Sequence, residues 1–421
     1  MKNYDLVISN IKTLVTCDGS QASSDNPLGI IHNASIAING EQIAFAGLAS
    51  ELSGKAKHTV SARNAVVFPG LVDSHTHLVF GGSREEEFAR RISGVPYMQI
   101  AKEGGGINYT VRKTRESGEE ELYNRAYAWL DEMLANGVTT IEAKSGYGLN
   151  TETELKQLRV IERLNNDHPI EIVPTFLGAH EFPPEYKEKR EDYVNLVIDE
   201  MLPAVKQQGI AKFCDVFCEE GVFTIEQSRR ILQAAKDLGF KIRFHADEFV
   251  DTSGAALAAE LEAKSADHLM AASIENIKKM ASKNVYAALL PGTSYFLGNG
   301  KYAEARQFIE AGAKTVLATD FNPGSSVICN LPFIANLAAT QMKMTFEEII
   351  PSITINAADS LSIGEQTGNI AKGKQADLLL LDMPKPEYFI YHAARNHTQM
   401  VFKKGKLVFE NPRKDVFLNS L

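Results

Sequence analysis

The chain has 421 residues, more than one average domain needs but enough for one large α/β barrel with an appendage. Its composition, 44% hydrophobic and 23% charged, is that of a globular protein. A net charge of −9 argues against nucleic acid or an anionic membrane as the natural partner. The first twenty residues carry Lys2, Asp5 and Lys12 and no uninterrupted apolar core, so a secretory signal is not expected. No stretch approaches the ~20 apolar residues of a membrane span. The four cysteines (Cys17, Cys214, Cys218 and Cys329) form no disulfide framework, which suits a reducing cytoplasm. Cys214 and Cys218 lack a second pair to complete a zinc site and are expected to be buried thiols.

The first sixty residues predict short strands and tight turns. "SIAINGEQIAFAG" is two alternating runs around Asn39-Gly40, a strong hairpin signal. From Asn64 onward apolar strands alternate with amphipathic helices. The strand candidates, in order, are "AVVFPGLVDSHTH", "VTTIEAKS", "IEIVPTFLGAH", "AKFCDVFCEE", "KIRFHADE", "KSADHL", "VYAALLPG" and "KTVLATDF". Between them, capping boxes are expected at Ser117 with Glu120, Thr151 with Glu154, and Thr224 with Gln227, and helices should stop at Gly137 and Gly239. Near the C-terminus "ADLLLLD" reads as a buried strand and "QMVFKKGKLVFE" as a hairpin turning at Lys404-Gly405. The expectation is a (β/α)8 TIM barrel over 64–360, with 1–63 and 361–421 joining as one small β-sandwich domain. An open doubly wound sheet would carry a glycine fingerprint after its first strand, and none is present.

In such a barrel the chemistry sits at the C-terminal strand ends. Here those ends hold Asp73, His75 and His77, then Lys144 and Ser145, His180, Glu219 and Glu220, then His245, Asp247 and Glu248, Asp267 and His268, and Asp320. Five of the ten histidines lie there. His32, His58, His168, His392 and His397 lie elsewhere and read as surface or structural residues. Side chains two apart on a strand share a face, so His75 and His77 point together into the mouth. Two neutral imidazoles can share one divalent cation at about 2.0–2.1 Å, with His245 and Asp320 completing the set. Three histidines and one aspartate suit zinc or iron(II), with a position left for water.

"PGLVDSHTH" followed by "FHADE", "SADHL" and "ATDFNPG" resembles the amidohydrolase superfamily of metal-dependent hydrolases. Within it, "HTHLVFGGSREEEF", "GGGI", "EAKSGYGL", "TFLGAHEFPPEY", "HADE", "LLPGT" and "ATDFNPGSS" resemble the blocks of the imidazolonepropionase family, in its order. Two-metal members of the superfamily place a carboxylated lysine at the end of strand four. Here Lys212 lies at the start of that strand and no lysine at its end, which implies one ion per subunit, zinc or iron, on His75, His77, His245 and Asp320. Glu219 or Glu220 on a second ion is the weaker reading.

The resemblance implies the substrate 4-imidazolone-5-propanoate and hydrolysis of its ring amide to N-formimidoyl-L-glutamate by a metal-activated water. Glu248 would shuttle a proton to the ring nitrogen, with Asp320 sharing the base role. His268 and His180 would stabilise the oxyanion or orient the water. Arg84 would clamp the carboxylate tail with Tyr147, and the family pattern adds Asn322, Gly324 and Ser325 around the substrate. Arg90 and Arg91 match no motif and are expected as surface charges. "KEGGGINYT" lacks a phosphate-loop ending and is expected to shape the pocket wall. A guanine or cytosine deaminase would share the ion ligands but needs no anion clamp, whereas a non-catalytic relative kept for binding should have lost ligands. Relatives suggest a homodimer, by analogy.

Overall fold

In a computed structural model, which describes residues 2–95, 99–100, 103–298 and 300–412, two eight-stranded sheets organise the chain. The first draws on both termini: β1 (Asn3–Val15), β2 (Ile30–Asn39), β3 (Gln42–Leu48), β4 (Lys55–Ser61) and β5 (Val66–Pro69) come from the N-terminal side. The second contains β6 (Leu71–Asp73), β7 (Val138–Lys144), β8 (Glu171–Ala179), β9 (Phe213–Cys218), β10 (Lys241–Ala246), β11 (Ser265–His268), β12 (Tyr286–Leu289) and β13 (Thr315–Leu317). Then β14 (Leu378–Leu381), β15 (Thr398–Lys403) and β16 (Lys406–Glu410) return to the first.

The terminal sheet runs β16-β15-β14-β5-β1-β2-β3, with β4 beside β1. The long β1 serves two branches: its Asn3–Ser9 half pairs with β4 and its Thr13 and Leu14 pair with β5. The period of two gives this sheet two apolar faces. Val67, Leu378, Leu380 and Phe402 join Ile8, Ile36 and Ile38 in a core of the sheet's own. Their neighbours Val66, Phe68, Leu379, Leu381 and Val401 point the other way, into the core of the barrel. Phe68 stands 6.3 Å from Phe346 and 5.4 Å from Phe389, centroid to centroid.

The second sheet is parallel throughout, in the order β6 to β13. It closes just beyond its edge strands. Thr76 bridges to Phe321, His77 N–H donates to the Phe321 carbonyl (2.8 Å), and Asp73 accepts from the Thr319 amide (3.0 Å) and hydroxyl (2.6 Å). This is the expected eight-stranded barrel. At its N-terminal end Val72, Val173, Phe213, Ala288 and Val316 pack on Ala357, Ala358 and Leu361, so the turn of helix at Ile355–Ser360 stoppers the barrel. No helix among the described residues is long and apolar enough to cross a membrane.

The first strand candidate differs from expectation, because the chain divides it between the two sheets at Gly70. The Gly70 amide donates to the Asp377 carbonyl beside the terminal sheet (2.9 Å), and the next amide, of Leu71, to the Gly137 carbonyl at the foot of β7 (3.1 Å). A Cβ at Gly70 would collide with the Thr139 side chain, so only glycine lets the chain cross this close to β7. Of the three expected capping boxes, Thr224 with Gln227 forms. Asn150, not Thr151, caps the helix Thr151–Asp167, and Gly118 begins the helix Glu119–Ala135 with no side-chain cap. An unforeseen box forms at Thr345 with Glu348. The hairpins at Asn39-Gly40 and Lys404-Gly405 form as expected. Cys17, Cys214 and Cys218 are buried free thiols, and Cys329 is partly buried.

Candidate active site and metal centre

The parallel strands deliver His75, His77, His180, His245 and His268 to one mouth. The His75 ring lies 4.6 Å from His245, 5.4 Å from His77 and 5.6 Å from His268, and His180 stacks on His77 at 4.9 Å. Asp320 Oδ1 reaches 3.4 Å from His75 Nε2 and 3.5 Å from His77 Nε2. Its other oxygen accepts from the Thr293 hydroxyl (2.6 Å), which leaves Oδ1 aimed at the histidines. Two overlapping groups have their donor atoms within 4.8 Å of one another: His75, His77 and Asp320, and His75, His245 and His268. His75 belongs to both.

These residues fit a divalent cation on their own chemistry. His75 Nε2 and both ring nitrogens of His245 are buried without a hydrogen-bond partner. Buried polar atoms left unpaired are costly, and a cluster of imidazole nitrogens facing one carboxylate is a donor set for zinc or a similar ion. Three strand-end residues also hold left-handed backbone, Asp247 (φ 51°), His268 (φ 76°) and Asp320 (φ 50°), a conformation that costs non-glycine residues ~1–3 kcal/mol each and concentrates at functional sites.

The surrounding groups are tuned by burial. Glu248 is held well above the ordinary carboxylate range by burial and by its neighbours Asp320 and Glu219. Burial, with His245 and His75, pulls His268 down to about 3 against the pull of Asp320. Burial and the nearby His77 and His245 keep His180 well below its usual range. Glu248, its carboxyl pushed up, stands beside His268, whose imidazole is pulled down, with Oε1 3.7 Å from His268 Nδ1. His180 Nδ1 donates to the Gly146 carbonyl (2.9 Å), which leaves its Nε2 as an acceptor.

Glu219 does not face the histidines. Its oxygens accept from the amides of Glu248 (2.9 Å), Phe249 (3.0 Å) and Val250 (3.2 Å) and so shape the loop that carries Glu248. Tyr147 is buried 5.3 Å from His180 and 5.8 Å from His77. Arg84 lies nearly buried against Gly324, with Nε 3.0 Å from Glu87, whose oxygens also accept from the Gly106 amide (3.1 and 3.2 Å). The glycine-rich stretch thus stands behind Arg84. Asn322 is occupied within its own loop. Its Oδ1 accepts from the Gly324 (2.8 Å) and Ser325 (2.7 Å) amides, and its Nδ2 donates to the Asp320 carbonyl (2.7 Å). Arg90 pairs with Glu103 at the surface. Arg91 departs from the expected surface charge: it is half-buried between the rings of Phe88 and Phe296, 5.4 Å from each centroid.

Sequence reasoning missed what lies one layer deeper. Glu142, Lys144, Asp215, Arg243 and Asp267 form a fully buried ionic layer between the apolar stopper and the histidines. Lys144 Nζ lies 2.6 Å from Glu142 and 2.7 Å from Asp215, and Arg243 Nη2 3.2 Å from Asp267. Lys144 and Asp267 lie at strand ends that the sequence marks; Glu142, Asp215 and Arg243 do not. The available signal was the period of two. Asp215 precedes Phe217, and Arg243 precedes His245, on the inward face of strands that are otherwise apolar. Glu154 was also missed. Its carboxylate accepts from the amides of Gly146 (3.0 Å), Gly148 (2.8 Å) and Leu149 (2.8 Å), which fixes the loop that bears Tyr147.

Residues 66–408 match the model of the amidohydrolase family. An imidazolonepropionase from Alkaliphilus metalliredigens is 49% identical over 417 residues, covering 97% of this chain and 99% of that protein. The chain belongs to the amidohydrolase family, among the imidazolonepropionases. An imidazolonepropionase from Clostridium tetani is 47% identical, again over 97% of this chain and 99% of its own. Solved amidohydrolase-like structures share the fold at lower identity. A zinc-bound adenosine deaminase from Xanthomonas campestris superposes with a TM-score of 0.73 at 17% identity, over 96% of this chain and 93% of that one. A zinc complex of atrazine chlorohydrolase from Arthrobacter aurescens gives 0.71 at 19%, over 96% and 95%.

Proposed function

We infer that this imidazolonepropionase-family chain hydrolyses the ring amide of 4-imidazolone-5-propanoate to N-formimidoyl-L-glutamate, the third step of histidine degradation. The observation that carries the reading is the buried cluster in which His75 stands with His77 and Asp320 and lies 4.6 Å, ring to ring, from His245, with unpaired imidazole nitrogens, in a chain about half identical to imidazolonepropionases over its whole length. Those four residues would hold one divalent ion, zinc or iron(II). When bound, such an ion polarises the amide carbonyl and lowers the pKa of water from about 15.7 to near 7.

The chain supplies the rest. Glu248 takes a proton from the attacking water and passes it to the departing ring nitrogen, with Asp320 sharing the base role. His268, beside it, donates to the developing oxyanion or orients the water, and His180 presents Nε2 to the substrate across the His77 ring. Arg84 and Tyr147 bind the propanoate carboxylate at the rim, where Asn322 folds its loop to bring Gly324 and Ser325 against the tail. Four free thiols accord with a cytoplasmic enzyme.

Metal content and hydrolysis of imidazolonepropionate measured on one preparation test this reading. The expected result is about one ion per chain with turnover of imidazolonepropionate and none of guanine or cytosine. Deamination of either base would instead support the deaminase reading, and an inactive, metal-free chain a binding protein.

A further inference from the structure

The buried ionic layer has no place in the hydrolysis as derived, yet it touches the metal-site histidines directly. Asp267 Oδ2 stands 2.7 Å from His75 Nδ1. A carboxylate only accepts, so Nδ1 of His75 carries a proton, and in the neutral imidazole that an ion requires the lone pair is then on Nε2, the nitrogen beside Asp320. Asp215 Oδ2 lies 3.0 Å from His245 Nδ1, with the ring turned off the line of a hydrogen bond, and Asp215 Oδ1 accepts from the His245 amide (3.2 Å). Each aspartate is held in turn. Ser265 Oγ (2.6 Å) and Arg243 Nη2 (3.2 Å) fix Asp267, and Lys144 (2.7 Å) fixes Asp215. Arg243 Nη2 also donates to the Ser74 carbonyl (2.9 Å), in the residue just before His75.

Burying five charges is expensive, and an apolar layer of the same volume would stabilise the barrel at least as well. The arrangement does something an apolar layer cannot. It places a carboxylate beneath each of two imidazoles from different strands, hydrogen-bonded to His75 Nδ1 and 3.0 Å from His245 Nδ1. We propose that Asp267 and Asp215 are positioning residues that aim His75 and His245 at the ion, with Lys144 and Arg243 as the braces that hold both carboxylates in place. This rests on the metal-site reading above. Glu142 provides the internal comparison. It belongs to the same layer, pairs with Lys144 and is fully buried, but its hydrogen bonds go to Lys144 and to the Thr76 amide, not to an imidazole.

The test is metal affinity, read by competition with a chromophoric chelator and by the visible spectrum of the cobalt(II)-loaded protein. Full-length parent, Asp267→Asn, Asp215→Asn and Glu142→Gln are compared. Asp267→Asn and Asp215→Asn are expected to weaken binding about 10- to 100-fold and to alter the cobalt bands, the usual cost of losing a partner behind a ligating histidine. Glu142→Gln removes the same charge from the same layer and is expected to keep the parent spectrum and nearly the parent affinity. Equal losses in all three would make the layer a general electrostatic or structural element and overturn the proposal, as would parent-like affinity in both aspartate variants. Should Asp267→Asn not fold, Ser265→Ala reads the same contact through its orienting hydroxyl, and unchanged affinity there overturns the role of Asp267. The metal-site reading fails separately, if the parent binds no ion or His75→Ala binds as tightly as the parent.

Discussion

Gly324 holds no left-handed backbone that would call for glycine, but a Cβ there would run into the Arg84 guanidinium. The missing side chain leaves the space in which that cation lies. The obstructing atom is the far end of a flexible side chain, so Gly324→Ala should fold normally and displace Arg84 alone. We expect KM for imidazolonepropionate to rise with kcat nearly kept, as for Arg84→Ala, the signature of lost uniform binding. Steady-state kinetics decide it, and an unchanged KM in both variants would remove Arg84 from the anion clamp. Glu248 gives a second prediction at this scale. Glu248→Gln should retain metal while losing turnover by about 10²–10⁴, the usual size of a general acid–base contribution. Its folded pKa is raised, so the native state keeps a proton that the unfolded chain releases, and stability must fall as pH climbs above the ordinary carboxylate range. In metal-free protein Glu248→Gln should therefore melt above the parent, by a margin that widens from pH 5 to pH 8. A constant margin in thermal melts would mean that Glu248 is ordinary.

The loop from Ser145 to Asn150 shows how one element positions another. Glu154, on the first turn of the helix Thr151–Asp167, reaches back to three amides of the loop bearing Tyr147, while Gln157 accepts from Tyr147 N–H (3.2 Å) and donates to the Val79 carbonyl (2.7 Å). In the sequence Glu154 reads as half of a capping box with Thr151. The spacing is right, but Asn150 takes the cap and releases the glutamate for the loop. Glu154→Gln would set an NH2 group against buried N–H donors, a loss of ~1–3 kcal/mol for each donor left unpaired. The variant should melt earlier and raise KM, while far-UV circular dichroism shows the helix intact. If KM holds, Tyr147 does not depend on this support. The eight strands and the polar residues at seven of their ends were legible because each strand is an apolar run, and all but "VYAALLPG" end in groups that an apolar run does not otherwise contain. Asp215 and Arg243 were illegible as partners for the opposite reason: a single charge inside a buried strand has meaning only beside charges from neighbouring strands, and strand neighbours are a tertiary fact. The division at Gly70 was hidden likewise, because both halves are equally apolar.

At the scale of the whole molecule, the terminal sheet and the barrel share a core. Phe68 on β5 is fully buried on the face that meets Phe346 and Phe389. Three residues later the chain enters β6, whose extension carries His75 and His77. The covalent path and the packing therefore tie the composite sheet to His75 and His77, the first two of the proposed ion ligands. Deleting a buried phenyl ring costs ~3–5 kcal/mol. In Phe68→Ala that loss should lower the stability of both parts together: one thermal transition, shifted down, with metal release and loss of secondary structure at the same temperature. An independent appendage would behave differently. Its sheet would melt first, in a separate low-temperature step, while the barrel unfolded and released its ion where the parent does. Differential scanning calorimetry with a metal-release dye separates the two, and a split transition would show that the terminal sheet contributes nothing to holding His75 and His77 in place.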